Sequence, residues 1–320
     1  MERLEVSIQT RGFLYVPVIA NEITLELCRA GAPGKLMFQV VKDSVISFHE
    51  GDGVTLRLEG AVLFAGVVFS KRRQYGGVIA VTAYDQLRYL KNRDTYVYED
   101  LTATGLLRQV AADWKIPCGE LRETGHVLPD RVENGRPILD ILQTALDLTA
   151  EQTGQLFVLY DEAGRLRLSH VRELALDTLV HTGSIGNFDY TSSIDRGTYS
   201  AVKLYRTDGD MGEIVFYEGQ RDDLVRRWGM LRYFGRLEAD LDGHVEAEHI
   251  LRRYGKKTRR LQIMDAAGDL RVRGGSLLPV DLYLGDMVVG EPLMVERVLH
   301  RFSEGGHLME VTLVGGEFVD

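Results

Sequence analysis

Few residues of this chain combine the types and the spacing that chemistry requires. Residues 31–35 (GAPGK) resemble a phosphate-binding loop, but the four-residue spacer is missing and Leu36 stands where Ser or Thr should follow the lysine. Asp208 and Asp210 resemble the start of a calcium loop, yet Gly212 follows where the third ligand is needed. Both patterns are more typical of turns between strands.

The histidines offer only weak candidates for a metal site. His244 and His249 lie on one predicted helix, separated by about 140° around its axis, so they cannot share an ion. His300 and His307 flank a predicted hairpin and can face each other. Two imidazoles without a nearby carboxylate or thiolate make an incomplete site, so no metal site is predicted.

Patterns for covalent or acid–base catalysis do not stand out either. Cys28 and Cys118 lack the basic setting that stabilises a thiolate, and both are predicted to be small core residues. No Gly-x-Ser-x-Gly elbow occurs, and with 47 acidic residues the sequence cannot single out a glycosidase pair. The sequence therefore predicts no catalytic residue, no cofactor-binding residue and no cofactor.

The composition is typical of a globular protein with two or three domains. Of 320 residues, 45% are apolar and 27% are charged. A net charge of −9 argues against nucleic acid as a partner, and two cysteines fit a reducing compartment. No signal-peptide core or long apolar run is present, so we expect folding in the cytoplasm without a membrane anchor.

Three basic runs remain open to two interpretations: 71–73, 226–227 and 256–260. The simpler one is that they are solvated ends of strands and helices. The functional alternative is a rim that contacts an acidic neighbouring subunit.

Strand patterns dominate the first 90 residues. Residues 51–90 predict three consecutive strands and a short helical turn, because polar alternation, a short apolar run and glycine turns follow one another. With about four earlier strands, residues 1–84 predict a sandwich or barrel of roughly seven strands. The apolar run 13–19 contains Pro17 and is predicted to be an edge strand or a bulge.

The next part of the chain predicts a small α+β module. Thr102 can cap a first helix, a second extends from Pro137 to Gly154, and a hairpin follows at 155–171. Strands return near Asn187, with one helix at about 242–255. The predicted fold class is mainly β with an α+β insertion, in which two similar tube-type β-domains, barrels or sandwiches, flank the module: 1–90, 91–185 and 186–320.

The similarity of the two β-domains follows from one repeated pattern. Residues 51–84 and 274–314 share a glycine turn, a strand, a long apolar strand, a second glycine turn and a last strand. An internal duplication of one β-unit explains this order. Chance is the alternative, because β-meanders resemble one another at this level of detail.

Several segments resemble the XkdQ/YqbQ-like family, the central hub proteins of contractile phage tails and of tail-derived particles such as R-type bacteriocins and PBSX-like prophages. The most specific is VTAYDQLRYLKN at residues 81–92, followed by DTYVY at 94–98. The others are spread over nearly the whole chain: ALDLT at 145–149, FDY at 188–190, SID at 193–195, KLY at 203–205, WG at 228–229, LRYF at 231–234, RVRGGS at 271–276 and LVGGEF at 313–318.

The resemblance implies an assembly role in the baseplate, after folding in the bacterial cytoplasm. Hubs of this kind form homotrimers, in which two similar β-domains per chain give six copies that match a sixfold tube on one side and a threefold spike on the other. The implied partners are other copies of the chain, the tail-tube protein, the central spike protein, the baseplate wedge proteins and the end of the tape-measure protein.

Two other functions compete with the hub. Some members of this family carry a hydrolase label, but a peptidoglycan hydrolase needs a general acid with a nucleophile or a metal-bound water, and no such group of residues is evident. A carbohydrate-binding β-protein would need clustered exposed aromatics. Only Trp114 and Trp228 are tryptophans, and Trp114 falls on a predicted buried stripe.

Overall fold

The structure is a computed structural model that describes residues 4–195, 197–208, 213–237, 242–283, 288–290 and 292–315. The chain divides into two compact units, residues 1–188 with 262–320, and residues 189–261. Antiparallel pairing dominates, so the predicted fold class, mainly β with an α+β insertion, is confirmed. The predicted boundaries at residues 90 and 185 stay a prediction.

The first β region contains the seven predicted strands and buries their apolar alternation in one core. Val54 and Leu56 are buried there with Phe38 and Val81, as the period of two requires. The strands are β1 (Leu4–Gln9), β2 (Leu14–Tyr15), β3 (Ile23–Cys28), β4 (Lys35–Val41), β5 (Gly53–Leu58), β6 (Ala61–Gln74) and β7 (Val78–Tyr84).

The apolar run 13–19 is confirmed as an edge strand over a short part of its length. Only Leu14–Tyr15 forms a strand, at the end of the sheet next to β1. Phe13 and Val18 are 67% and 68% exposed, so most of the run is surface loop. Proline lacks the N–H that a ladder needs, and Pro17 leaves this segment without continuous pairing.

The α+β module follows a 3-10 helix at Gln86–Lys91, which confirms the predicted helical turn. Both predicted helices are confirmed, the first capped by the Thr102 hydroxyl and the second ended by left-handed Gly154. The module and the strands after it are β8 (Arg93–Tyr98), α1 (Ala103–Asp113), β9 (Cys118–Leu121), β10 (Arg131–Pro137), α2 (Ile138–Thr153), β11 (Phe157–Glu162), β12 (Arg165–His170), β13 (Val180–His181) and β14 (Asn187–Ser193).

Residues 189–261 form a three-stranded sheet with two helices. The predicted third helix is confirmed, with Asp242 accepting from the amides of its first turn. Its buried face packs on the sheet through Ala247, Ile250 and Leu251. The elements are β15 (Ala201–Asp208), β16 (Glu213–Gln220), α3 (Asp222–Trp228), β17 (Arg232–Arg236) and α4 (Gly243–Tyr254).

The second β region returns the chain to the first unit and extends its sheet. Strand β21 (Pro292–Ser303) pairs with β3 and with β22 (Gly306–Val314), which is followed by β18 (Thr258–Ala267). The described sheet therefore continues through both β regions in the order β18-β22-β21-β3-β4-β7-β6-β5-β1-β2. None of the described helices is long and apolar enough to cross a membrane. The last strands are β18 (Thr258–Ala267), β19 (Leu277–Tyr283), β20 (Val288–Val289), β21 (Pro292–Ser303) and β22 (Gly306–Val314).

Candidate functional site

The residues considered for chemistry mostly occupy structural positions. Residues 31–34 lie in the turn between β3 and β4, which confirms the predicted turn between strands. His244 packs edge-on against Tyr217, whereas His249 lies 3.9 Å from Glu246. Burial raises the pKa of both half-buried thiols, Cys28 and Cys118, so neither is an activated nucleophile. Asp210 lies outside the described residues.

His300 and His307 do face each other, with His300 Nδ1 2.9 Å from His307 Nε2. His300 Nε2 lies 2.9 Å from the Val272 carbonyl, which can only accept, so that nitrogen carries the proton and Nδ1 accepts from His307. Burial, together with His307, lowers the pKa of His300 to about 4. His300 is therefore neutral at physiological pH, and it packs against the partly buried His307. The described residues contain no group of three potential metal ligands around it.

A buried charge cluster, defined here as Asp85, Asp161 and Arg273, lies where three parts of the first unit meet. Asp85 directly follows β7, Asp161 belongs to the β11–β12 hairpin, and Arg273 precedes the turn into β19. The Asp85 carboxylate accepts from the Gly34 amide at 2.7 Å and from the Leu87 amide at 3.0 Å. Asp85 therefore ties the β3–β4 turn to the start of the α+β module.

Arg273 connects the hairpin to the second β region. Its guanidinium donates to the Asp161 carbonyl at 2.8 Å and stacks 3.6 Å from the centre of the Tyr160 ring. Asp161 Oδ1 accepts from the Gly164 amide at 2.8 Å, whereas the buried Oδ2 accepts no hydrogen bond. The Gln86 amide faces this carboxyl group and lowers its pKa without reaching hydrogen-bond geometry.

The cluster holds two carboxyl groups and only one cation. Burial, and then the charge of Asp161, raise the pKa of Asp85 well above its ordinary value. Burial raises the pKa of Asp161 to about 6. Burial lowers the pKa of Arg273, but guanidinium groups stay protonated in proteins. The charges of the cluster therefore sum to zero when one of the two carboxyl groups retains its proton.

Three glycines allow the backbone segments around the cluster to approach each other. A Cβ on Gly34 would lie 2.4 Å from Asp85 Oδ2, and one on Gly274 would lie 2.2 Å from the backbone of Cys28 and Arg29. Gly275 has φ +93° and would place a Cβ 2.6 Å from the Val158 side chain. No other residue fits these positions without displacement.

Ion pairs reinforce the join between β3 and β21. Three arginine–glutamate pairs cross it, two of them contributed by arginines of β21: Arg29–Glu296 at 2.7 Å, Arg297–Glu26 at 2.5 Å and Arg301–Glu22 at 3.1 Å. Each pair is partly exposed and contributes little alone. The arginine lies on the β3 side in one pair and on β21 in the other two. A shift of either strand would bring like charges together, so the pairs favour a single register between the two β regions.

The pKa of Asp161 predicts a specific pH dependence. Because the folded chain binds this proton more tightly than the unfolded chain, whose pKa is near 3.8, the group should lower the free energy of unfolding as pH rises from about 4 to about 6. Asp161→Asn keeps an oxygen for the Gly164 amide and removes the titration. We expect its stability relative to the native chain to improve by about 2 kcal/mol between those limits, measured by urea unfolding at several pH values.

The exposed residue Asp130 supplies the matched control. The difference in free energy of unfolding between Asp130→Asn and the native chain should stay constant across the same pH range. If that difference also stayed constant for Asp161→Asn, the buried carboxyl group would not titrate between about pH 4 and about pH 6 as its surroundings require.

A cavity of about 320 Å³ borders the cluster, lined mainly by Leu25, Leu63 and Phe302, with Tyr160 and Arg273 at one side. The arrangement offers no nucleophile beside a base. Its hydrogen bonds to backbone groups join three chain segments, so what it can do is fix their relative positions. The sequence motifs at 81–92 and 271–276 contain Asp85 and Arg273, but only the fold shows that they meet.

Comparisons with known proteins agree with this fold. A family model described as YQBQ-like matches residues 23–314. The phage-like element PBSX protein XkdQ of Bacillus subtilis is 28% identical over 311 residues, which cover 94% of each chain. The solved 43 kDa tail protein of prophage MuSo2 from Shewanella oneidensis superposes with a TM-score of 0.71 at 14% identity, covering 97% of this chain and 98% of that one. A tail protein from Neisseria meningitidis gives 0.70 at 13% identity, covering 98% and 96%.

Proposed function

Because this chain belongs to the YQBQ-like family, we propose that it is a structural hub in the baseplate of a contractile phage tail or tail-derived particle. The relative from Bacillus subtilis is named as a protein of a phage-like element. Both solved structures are named as tail proteins and share this fold along almost their whole length. In this role the chain forms a homotrimeric ring that joins the tail tube to the central spike.

The observation that carries the proposal is the sheet that continues through both β regions. Strands β3 and β21 pair over six residues from each strand, and the ion-paired seam and the charge cluster lie at the same junction. A continuous sheet of this kind holds two β regions side by side in one chain. Three copies then supply six such regions around a ring, which matches a sixfold tube and a threefold spike.

The two β regions share a meander. In each, three strands pair in chain order, β5-β6-β7 and β19-β21-β22, with a long middle strand of 14 and 12 residues. In each, the middle strand has a bulge against the third, at Val68/Ser70 and at Val295/Arg297. The similarity does not extend to the strand that pairs with the outer edge of each meander. Strand β1 is antiparallel to β5, whereas β13 is parallel to β19. This shared order supports an internal duplication.

The partners of the ring follow from its place in the particle. They are two further copies of this chain, the tail-tube protein, the central spike protein and the baseplate wedge proteins, with the tape-measure protein ending at the ring. The ring closes the outer edges of the sheet, which otherwise expose unpaired backbone groups.

Oligomeric state tests the proposal. Light scattering on the purified chain of 36.0 kDa should give three times that mass, or, if the chain trimerises only with the spike protein, the mass of three chains plus the spike. An image of the assembled tail tip should place three copies between tube and spike. A chain that stays monomeric with the spike and clears peptidoglycan in a gel assay would contradict the hub and favour the hydrolase.

A further inference from the structure

Among the described residues of 189–261, helix α4 covers one side of the three-stranded sheet. Val202 and Leu204 of its central strand β15 are buried under α4, together with Ala247 and Leu251. Neighbouring residues of a strand point to opposite faces. The odd-numbered side chains of β15 and the even-numbered ones of β16 and β17 therefore form a second face, called the open face here.

The open face carries an unusual amount of exposed apolar surface. Ile214, Phe216 and Phe234 are 57%, 49% and 61% exposed. Tyr205 stacks on Phe234 with ring centres 5.3 Å apart, and the Lys203 ammonium lies 4.3 Å from the centre of the Phe216 ring. These contacts hold the aromatic rings in place before any partner arrives, which reduces the entropy lost on binding.

The charge on this face is positive. Lys203 is paired with Glu218 at 2.6 Å, and the nearby charge of Arg232 also helps to lower the pKa of Glu218. The exposed Arg232 and Arg236 flank Phe234, so this face carries three cations around one carboxylate. Residues 189–261 contain 14 Lys and Arg against 13 Asp and Glu, while the whole chain contains 38 against 47. This unit therefore lacks the acidic excess of the whole chain, and the arginines of the open face favour an acidic partner.

The size of the face limits what can cover it. Three strands about 4.8 Å apart, each with about four side chains on this side, give roughly 300 Å². A stable dimer needs about 800 Å² from each partner, and a second copy of the same face would oppose its arginines to each other. An α-helix about 10 Å wide fits across three strands, as α4 does on the other side.

From this geometry we propose that the open face docks an acidic amphipathic helix of another tail protein. Apolar side chains of the helix pack on Tyr205, Phe216 and Phe234, and its carboxylates pair with Arg232 and Arg236. The inference rests on the proposed function for the setting in which the partner is found. It assigns residues 189–261 the task of attaching the hub to a neighbouring component.

The test is photo-crosslinking in assembled particles. The full chain carries a photoreactive phenylalanine analogue in place of Phe234, with a second chain carrying it in place of exposed His249 on α4 as the positional control. We expect a crosslink from position 234, and not from 249, to one tail protein, mapped by mass spectrometry to a helical segment rich in Asp and Glu. Arg232→Glu with Arg236→Glu should lower its yield at least tenfold.

A matched charge control is Arg226→Glu with Arg227→Glu on α3, which should leave the yield unchanged. Thermal unfolding of both double variants should match the native chain because all four arginines are exposed. Particles that lack the chain would contradict the hub itself. Particles that contain it but crosslink at position 234 to nothing, to a basic segment, to a second copy or to nucleic acid would contradict the docking face alone.

Discussion

Replacing Gly274 with alanine should lower the free energy of unfolding by on the order of 3 kcal/mol or more. The added Cβ would lie 2.2 Å from the Arg29 nitrogen and from the Cys28 carbonyl carbon. These are backbone atoms at the end of β3, and they cannot rotate away as a flexible side chain does. The hydrogen bond from Arg29 to the Glu296 carbonyl, 2.9 Å long, lies beside the clash, so the join between the two β regions should open.

Equilibrium unfolding in urea measures this effect, and Gly12→Ala is its control. A Cβ on Gly12 would meet no atom within 4 Å, so that variant should be as stable as the native chain. If the hub proposal is right, Gly274→Ala should also fail to form the trimer at concentrations where Gly12→Ala forms it. A Gly274→Ala chain of native stability would show that β3 and the turn into β19 do not pack as closely as described.

Local structure was largely predictable from the sequence because its signals are local. Thr102, Pro137 and Gly154 mark helix ends through their own backbone and side-chain chemistry, and strand alternation over residues 54–58 needs no distant partner. The elements that the sequence did not predict lack such local signals. Strand β10 contains Asn134, Gly135 and Pro137 and shows little apolar alternation, and the short helix α3 buries only Leu224.

The charge cluster could not be predicted because its contacts join distant parts of the chain. Asp85 accepts from an amide 51 residues away, and Arg273 donates to a carbonyl 112 residues away. Periodicity carries no information at that range. The Gly274-Gly275 pair was the available signal, since adjacent glycines before a strand indicate either a turn or a close approach of backbone, and only the fold shows that it is both.

The same contacts explain why a stretch without chemistry carries the family resemblance. The motif at residues 81–92 contains Asp85, and the motif at 271–276 contains Arg273, Gly274 and Gly275. Both motifs meet at the junction that keeps two β regions in one sheet. If the hub proposal is right, the fixed arrangement of the two β regions in the ring depends on this junction.

Arg273→Met should be nearly as damaging as the glycine substitution, lowering the free energy of unfolding by about 3 kcal/mol or more at about pH 7.5. Methionine replaces the volume of the side chain but removes the cation that lies among Asp85 and Asp161, together with the hydrogen bond to the Asp161 carbonyl. Without that cation the pKa of each carboxyl group should rise further. The loss should therefore be smaller at about pH 5, below the pKa of about 6 of Asp161, where that carboxyl group retains its proton in the folded chain.

A double-mutant cycle separates charge from packing in this cluster. If the cost of Arg273→Met is the uncompensated carboxylate, then Asp161→Asn in the same chain should recover at least about 1 kcal/mol at pH 7.5, and the pH dependence of the loss should largely disappear. If the cost is instead the lost stacking on Tyr160, Asp161→Asn should change the free energy of unfolding by the same amount in the native chain and in Arg273→Met. Recovery is the expected result, because the Asp161 Oδ2 atom is buried without a hydrogen bond and the positive charge of Arg273 lowers the pKa of that carboxyl group.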